Sequence, residues 1–283
     1  MSTQEQLAVS YDISNDFYRL WLDQRMIYSC AVFNHETESL EQAQTNKLRW
    51  MHDAAKLSPK SRVLDIGCGW GGNLDFLAVD MRVQDVTGIT LSRAQYEEIK
   101  QKSTSGVTAH CVSYKDFEPN QPYDGLISIG MFEHLATPEQ ARSGESMHIY
   151  RDYFRRAWEW TKKGSWFALQ TVIGARLPRD RSAVQAIGWT TYNVFPGAIS
   201  PRLETVVASV SPRWEIVELR TRREHYERTA REWLKRLMLH EETIRRRWGP
   251  QLFEDYRRYL GACVMAFRDG YQSLAQFALK RVD

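Results

Sequence analysis

VLDIGCGWGG, residues 63 to 72, is the stretch that decides the fold. Its apolar start reads as a buried strand, and it runs through a glycine turn into a helix from about Asn73. Glycine lets the backbone turn tightly and approach a ligand, and the helix that follows offers free N–H groups. Gly67, Gly69 and Gly72 satisfy the G-x-G-x-x-G spacing of dinucleotide sites. Such sites close their second strand on an acid that binds ribose, whereas here that strand ends GITLS at 88 to 92, which argues against a nicotinamide cofactor. Asp65, two residues before the first glycine, places a carboxylate where it can face a cationic ligand. A glycine turn with no ligand is the alternative.

From Arg62 onward, short apolar runs alternate with helical stretches: RVLDIG, DVTGITL, VTAHCV, DGLISIG, SWFALQTVI and WEIVELR. Strands alternating with helices imply a parallel sheet covered on both faces, a doubly wound α/β fold. Residues 1–58 have aromatic and aliphatic residues at helical spacing and end in the turn signal Ser58-Pro59, so a helical N-terminal segment precedes the core at 59–173. Two insertions interrupt the alternation, at 174–202 and 222–270, before a last strand within 271–283. In the second insertion Thr229 and Glu232 fit a capping box, and Gly249-Pro250 ends a helix. Insertions after late strands stand at the carboxyl edge of such a sheet, where ligands bind. The chain reads as a single domain of 283 residues.

A hydrophobic content of 43% supports a real core, and 10 Trp with 13 Tyr make apolar pockets with polar edges easy to build. The net charge of +3 hides an asymmetry: residues up to Ile173 carry 18 positive and 22 negative side chains, and the rest carry 20 and 13. The basic half is arginine-rich, as in RTRRE at 220–224 and RRR at 245–247, a composition suited to phosphate or carboxylate or simply to a solvated helical face. Cys30, Cys68, Cys111 and Cys263 have neither disulfide-framework nor metal-ligand spacing, so no metal is expected. With a polar N-terminus and no membrane-length apolar run, the expected compartment is a reducing cytoplasm.

One polar residue breaks the buried run FALQTVIG, 167–174: Gln170, whose amide costs roughly 1–3 kcal/mol if buried unpaired. Taken together, YDISNDFYRLWLDQRMIYSCAVF (11–33), VLDIGCGWGG, GITLSRAQ (88–95), YKDF (114–117), ISIGMFEHL (127–135), FPG (195–197), HYERTAREW (225–233) and FRDGYQSLAQF (267–277) resemble the cyclopropane fatty acid synthase and mycolic acid cyclopropane synthase family. The resemblance runs end to end. It implies a Rossmann-like class I methyltransferase fold using S-adenosylmethionine.

Carried over residue by residue, the cofactor contacts fall on Tyr28, Ser29, Gly67, Gly69, Thr90, Leu91, Gln95, Tyr114 and Lys115, to which the strand-end position adds Asp65. The Ser92–Gln95 spacing is also that of a capping box, and Tyr114 either stacks on adenine or packs. The family's acceptor is a carbon–carbon double bond, so methyl transfer leaves a cation that aromatic faces stabilise by about 0.5–2 kcal/mol each. Tyr28, Phe132 and Tyr226 are the candidates. Ring closure then needs a base, and members that perform it hold bicarbonate at positions matching Cys30, Ile129, Gly130, Glu133 and Tyr226, plus a histidine. The family motif is close to LLHTI, and this chain has ALQTV, which puts Gln170 at the histidine's place. An amide can donate to an anion but cannot relay a proton. His134 reads as structural, and His225 as a further candidate base.

These expectations favour C-methylation of a hydrophobic acyl, isoprenoid or polyketide-like acceptor with an anionic handle, free or carried on a protein, without cyclopropane closure. Peripheral lipid contact fits the basic half; nucleic acid is not an expected partner. A true cyclopropane synthase, an N-methyltransferase similar to plant alkaloid enzymes, and a lipid-binding protein without catalysis are the alternatives.

Overall fold

The computed structural model describes residues 13–283, so the readings made on residues 1–12 lie outside it. Seven strands form one sheet in the order β3-β2-β1-β4-β5-β7-β6. They are β1 (Arg62–Ile66), β2 (Asp85–Thr90), β3 (Val107–Cys111), β4 (Tyr123–Ile129), β5 (Thr161–Gly174), β6 (Trp214–Thr221) and β7 (Gln272–Arg281). Val63–Ile66 are all buried, as a central strand covered on both faces requires.

The expected all-parallel sheet is corrected at one strand. β7 runs antiparallel to both β5 and β6. The second insertion leaves β6 at Thr221 and re-enters the sheet at Gln272, and Thr221 pairs with Ala275, so exit and re-entry share an edge and the next strand must run back. That insertion holds three helices, α9 (Arg223–Leu239), α10 (Glu241–Trp248) and α11 (Pro250–Arg268). Gly249, at φ +93°, ends α10, and Pro250 opens α11. Thr229 is no cap. It sits buried in the middle of α9, where its Oγ1 donates to the His225 carbonyl at 2.7 Å and accepts the Ala31 N–H at 3.1 Å.

The N-terminal segment is helical only over α1 (Asn15–Arg19) and α2 (Leu40–Ala54). Between them the Asp23 carboxylate takes the N–H groups of Ile27 (2.8 Å) and Arg25 (3.0 Å), a local turn that competes with helix. Rings from this segment and from the second insertion share one core with the glycine turn: Tyr18 lies 4.8 Å from Trp70, and Trp21 lies 6.0 Å from Trp233. Both flanks are thereby anchored over the carboxyl edge. The first insertion carries α7 (Arg181–Asn193), capped by Asp180, with Ala183 as its buried residue. Among the described residues no helix is long and apolar enough to cross a membrane.

Candidate functional site

At the carboxyl ends of β1 and β2 the glycine turn is closed by two N–H groups, from Gly67 and Cys68, that donate to the Ile89 carbonyl at 2.9 and 3.0 Å. Gly67 has φ +85°, and a Cβ there would stand 2.5 Å from the Met131 Cβ, so only glycine fits. Gly69, at φ +56°, has no heavy atom within 4 Å of where a Cβ would be: the turn faces open space. That space is a cavity of about 140 Å³. Nine of the ten expected cofactor positions line it: Tyr28, Ser29, Asp65, Gly67, Gly69, Thr90, Leu91, Gln95 and Tyr114. Lys115 does not. It is exposed, and its carbonyl accepts from Arg156 at 2.8 Å.

Buried Asp65 accepts from Asn73 at 2.9 Å through Oδ2, while Oδ1 has no partner among the described residues; burial pushes its carboxyl up to about 6. The helix after β2, α4 (Arg93–Lys102), is half-boxed at its start. Ser92 accepts the Gln95 N–H, but the Gln95 side chain accepts from Thr90 Oγ1 at 2.7 Å instead of reaching back to Ser92. Tyr114 packs edge-on to Tyr153, and its hydroxyl has no partner among the described residues. A positive-φ glycine beside open space, an orphaned buried carboxylate oxygen and an orphaned phenol fit a polar, cationic nucleoside cofactor.

Lys47 also lines this cavity, and the sequence reading missed it. Its Nζ donates to Ser29 Oγ at 2.9 Å, and burial brings its ammonium down to about 8, against the pull of Asp23, Cys30 and Asp65. The signal was there: Ala43, Lys47 and Met51 recur every four residues along α2, and a lysine in an apolar stripe is a buried cation.

A larger cavity of about 630 Å³ adjoins the first. Tyr28, Ser29, Gly130 and His134 line both and form their common wall. Cys30, Glu133, Gln170 and Tyr226 open onto the larger one, while Ile129 lines only the smaller. Glu133 lies in a single 3₁₀ turn (Phe132–His134), where its Oε1 accepts the Val172 N–H and its Oε2 has no partner among the described residues; burial pushes its carboxyl up to about 7. The buried Cys30 thiol, also raised by burial, donates to the Ala31 carbonyl.

Gln170 is 1% exposed and fully tied at its carbonyl. Its Oε1 accepts from Gln276 Nε2 at 2.8 Å, and its Nε2 donates to the Cys30 carbonyl at 3.3 Å. The buried amide is therefore paired on both sides.

His134, read as structural, stands in the common wall against Phe195, and burial lowers its imidazole to about 4, which keeps it neutral. Two candidates are placed elsewhere. Phe132 faces away from both cavities and stacks on Tyr150 at 4.6 Å in the core. His225 lines neither cavity; its Nδ1 accepts the Phe33 N–H at 3.0 Å, leaving any ring proton on Nε2. The arginines of RTRRE and RRR line neither cavity: Arg245 pairs with Glu241 and Glu254, Arg247 with Asp16, and Arg223 donates to the Phe267 and Arg268 carbonyls. Arg176 and Arg202, from the first insertion, do line the larger cavity.

The family model for mycolic acid cyclopropane synthetase matches residues 1–277. Cyclopropane mycolic acid synthase MmaA2 of Mycobacterium tuberculosis is 30% identical over 98% of this chain and 97% of its own. The solved structure of that cyclopropane synthase superposes with a TM-score of 0.91 at 28% identity, covering 99% of each chain. The structure of the mycolic acid cyclopropane synthase CmaA1 complexed with SAH and CTAB gives 0.89 at 25% identity, again over 99% of each.

Proposed function

The chain belongs to the mycolic acid cyclopropane synthetase family and is an S-adenosylmethionine-dependent methyltransferase, and on that premise we propose that it methylates an alkene carbon of a hydrophobic acceptor without closing a cyclopropane. One observation carries the reading: at the place of the family histidine stands Gln170, with its amide spent on Gln276 and the Cys30 carbonyl, so no group at that point accepts a proton. Bound cofactor supplies an electrophilic methyl group. Gly67 and Gly69, Asp65, Ser29, Thr90 with Gln95, and Tyr114 would hold it in the smaller cavity. The Tyr28 and Tyr226 rings would face the carbon cation, and the larger cavity would hold the acceptor away from water.

The acceptor's anionic handle, in this reading, meets Arg176 and Arg202 rather than the arginine runs of the second insertion. An acyl, isoprenoid or polyketide-like chain, free or carrier-bound, suits that pairing. A relative complexed with both SAH and CTAB supports assigning two ligand compartments. The four free cysteines suit a reducing compartment.

Expression in a host fed methyl-deuterated methionine, followed by mass spectrometry of extracted lipids and metabolites, tests the reading. Retention of all three deuteriums in the new methyl group is the expected result. Loss of one would mean that the methyl is deprotonated and a ring or methylene forms. A deprotonating second step would then hold, and the mass and fragmentation of the product would separate cyclopropane from methylene, with Glu133, raised to about 7 by burial, lining the larger cavity as a basic group. Absence of any labelled product would overturn both.

A further inference from the structure

Residues 27–33 are neither helix nor strand, yet all of them but Tyr28 are buried. The segment passes from one cavity to the other: Ile27 lines the smaller, Tyr28 and Ser29 both, and Cys30 the larger. Buried peptide groups need partners, and with no strand alongside, side chains supply them. At the cofactor end Asp23 takes the Ile27 N–H at 2.8 Å, and Gln44 donates to the Ile27 and Ser29 carbonyls at 3.4 and 2.9 Å. At the other end α9 takes over. Thr229 Oγ1 accepts the Ala31 N–H at 3.1 Å, and His225 Nδ1 accepts the Phe33 N–H at 3.0 Å.

Residues four apart share a helix face, so a single face of α9 receives both N–H groups. A mid-helix threonine that donates to the carbonyl four residues back, as Thr229 does to His225, is ordinary; accepting from a segment distant in sequence is not. Tyr226, which lines the larger cavity, directly follows His225. Trp233, one turn beyond Thr229, meets both proposed cation-facing rings, 5.3 Å from Tyr28 and 6.1 Å from Tyr226. Arg222, the residue before α9, reaches the same segment through two amides: its Nε donates to Gln276 Oε1 at 3.1 Å, Gln276 holds Gln170, and Gln170 holds the Cys30 carbonyl.

We propose that His225 and Thr229 are positioning residues for methyl transfer, seating α9 on the 27–33 segment and so setting the spacing between Tyr226 on the helix and Tyr28 on the segment. The inference rests on the reading that these two rings face the acceptor carbon. Neither His225 nor Thr229 lines a cavity, so their effect passes through Tyr226. Rings carried on elements so far apart in sequence can share one cation only while their spacing is held, and a misplacement of about 1 Å can cost on the order of a hundredfold in rate. The cofactor end of the segment keeps its own fastenings, from Asp23, Gln44 and Lys47, when the α9 end is cut.

The test adds the purified full chain and methyl-deuterated S-adenosylmethionine to an extract of the expression host and reads the initial rate at which label enters lipids and metabolites. Thr229→Val keeps the volume but loses the oxygen and should slow transfer about tenfold, whereas Thr229→Ser keeps the oxygen and should stay within about twofold of wild type. His225→Phe keeps a ring stacked on Phe33 but loses the acceptor and should also slow transfer about tenfold. His225→Asn, which retains an acceptor near the Nδ1 position, should stay within about threefold. If the valine variant fails to fold, the histidine pair carries the test. In a Tyr226→Leu background Thr229→Val should cost less than about twofold, because the ring it acts through is gone; a general role in stability would cost the same factor in both backgrounds. S-adenosylhomocysteine affinity, read by calorimetry, should stay within about twofold in every variant at 225 and 229.

The inference is overturned if Thr229→Val and His225→Phe transfer label at the wild-type rate, if serine and asparagine fail to rescue, if the valine loss is as large without Tyr226 as with it, or if cofactor affinity falls in step with the rate. A lost deuterium would instead overturn the reading that no ring closes and leave this one standing, since the rings face the same cation. A wild type that transfers no label would overturn both.

Discussion

The Glu133 Oε1 accepts the Val172 backbone N–H at 2.5 Å, so a carboxylate at the end of β4 is fastened to the strand that carries Gln170. Its carboxyl is raised by burial from 4.5 to about 7. A pKa raised in the folded state means stability that is full below pH 4.5 and lost as pH climbs through 7. At about 1.4 kcal/mol per tenfold in the ionisation constant, the loss is on the order of 3 kcal/mol. Glu133→Gln keeps the Val172 contact without the charge, so its melting temperature should exceed wild type by about 5 °C at pH 8 and by little at pH 5. A gap that does not change with pH would refute the assignment.

Lys47→Met removes the donor to Ser29 Oγ in the smaller cavity. A hydrogen bond from a charged group contributes about 1.5–3 kcal/mol, so S-adenosylhomocysteine affinity should fall by at least tenfold at pH 7. Because the ammonium titrates at about 8, wild-type affinity should also decline between pH 7 and 9, and the variant's should not. Equal affinity of the two proteins at pH 7 would remove Lys47 from the site.

The two glycines of the turn should separate stability from binding. Gly67→Ala meets Met131 at 2.5 Å in a left-handed conformation and should destabilise the fold by about 2–4 kcal/mol, read by chemical denaturation. Gly69→Ala enters open space, so its stability loss should be about 1 kcal/mol while S-adenosylhomocysteine affinity drops tenfold or more. Similar behaviour of the two would mean that the open space beside Gly69 is not where the cofactor lies.

Arg176→Ala with Arg202→Ala should raise KM for an acceptor carrying a carboxylate by roughly five- to tenfold and leave its uncharged methyl ester unaffected. Steady-state kinetics on the matched pair of acyl compounds reads the difference. An equal loss on both compounds would assign these arginines to packing.

Most of the fold was legible because strand, glycine turn and helix are local patterns: RVLDIG became β1 and GITLS ended β2 as the apolar runs indicated. The direction of β7 was not, since it follows from where an insertion re-enters the sheet rather than from the residues of the strand. Thr229 matched a capping pattern whose letters were right and whose place was mid-helix, because tertiary contact with Ala31 outweighed local preference. In the site, the glycines and Glu133 could be read from neighbours in sequence. Lys47, Gln276 and Arg222 could not be placed, because their partners lie 18, 106 and 54 positions away.

Tyr28, Ser29, Gly130 and His134 belong to both cavities at once. With cofactor and acceptor in the two cavities as proposed, any shift of these four that improves the fit on one side would be felt on the other, which would link the two occupants thermodynamically. Linkage is reciprocal: by whatever factor a bound acceptor tightens the donor, the donor tightens the acceptor. Spent cofactor, lacking the methyl and its positive charge, would present a different face to that wall, so that each turnover would end by changing the grip on its own product.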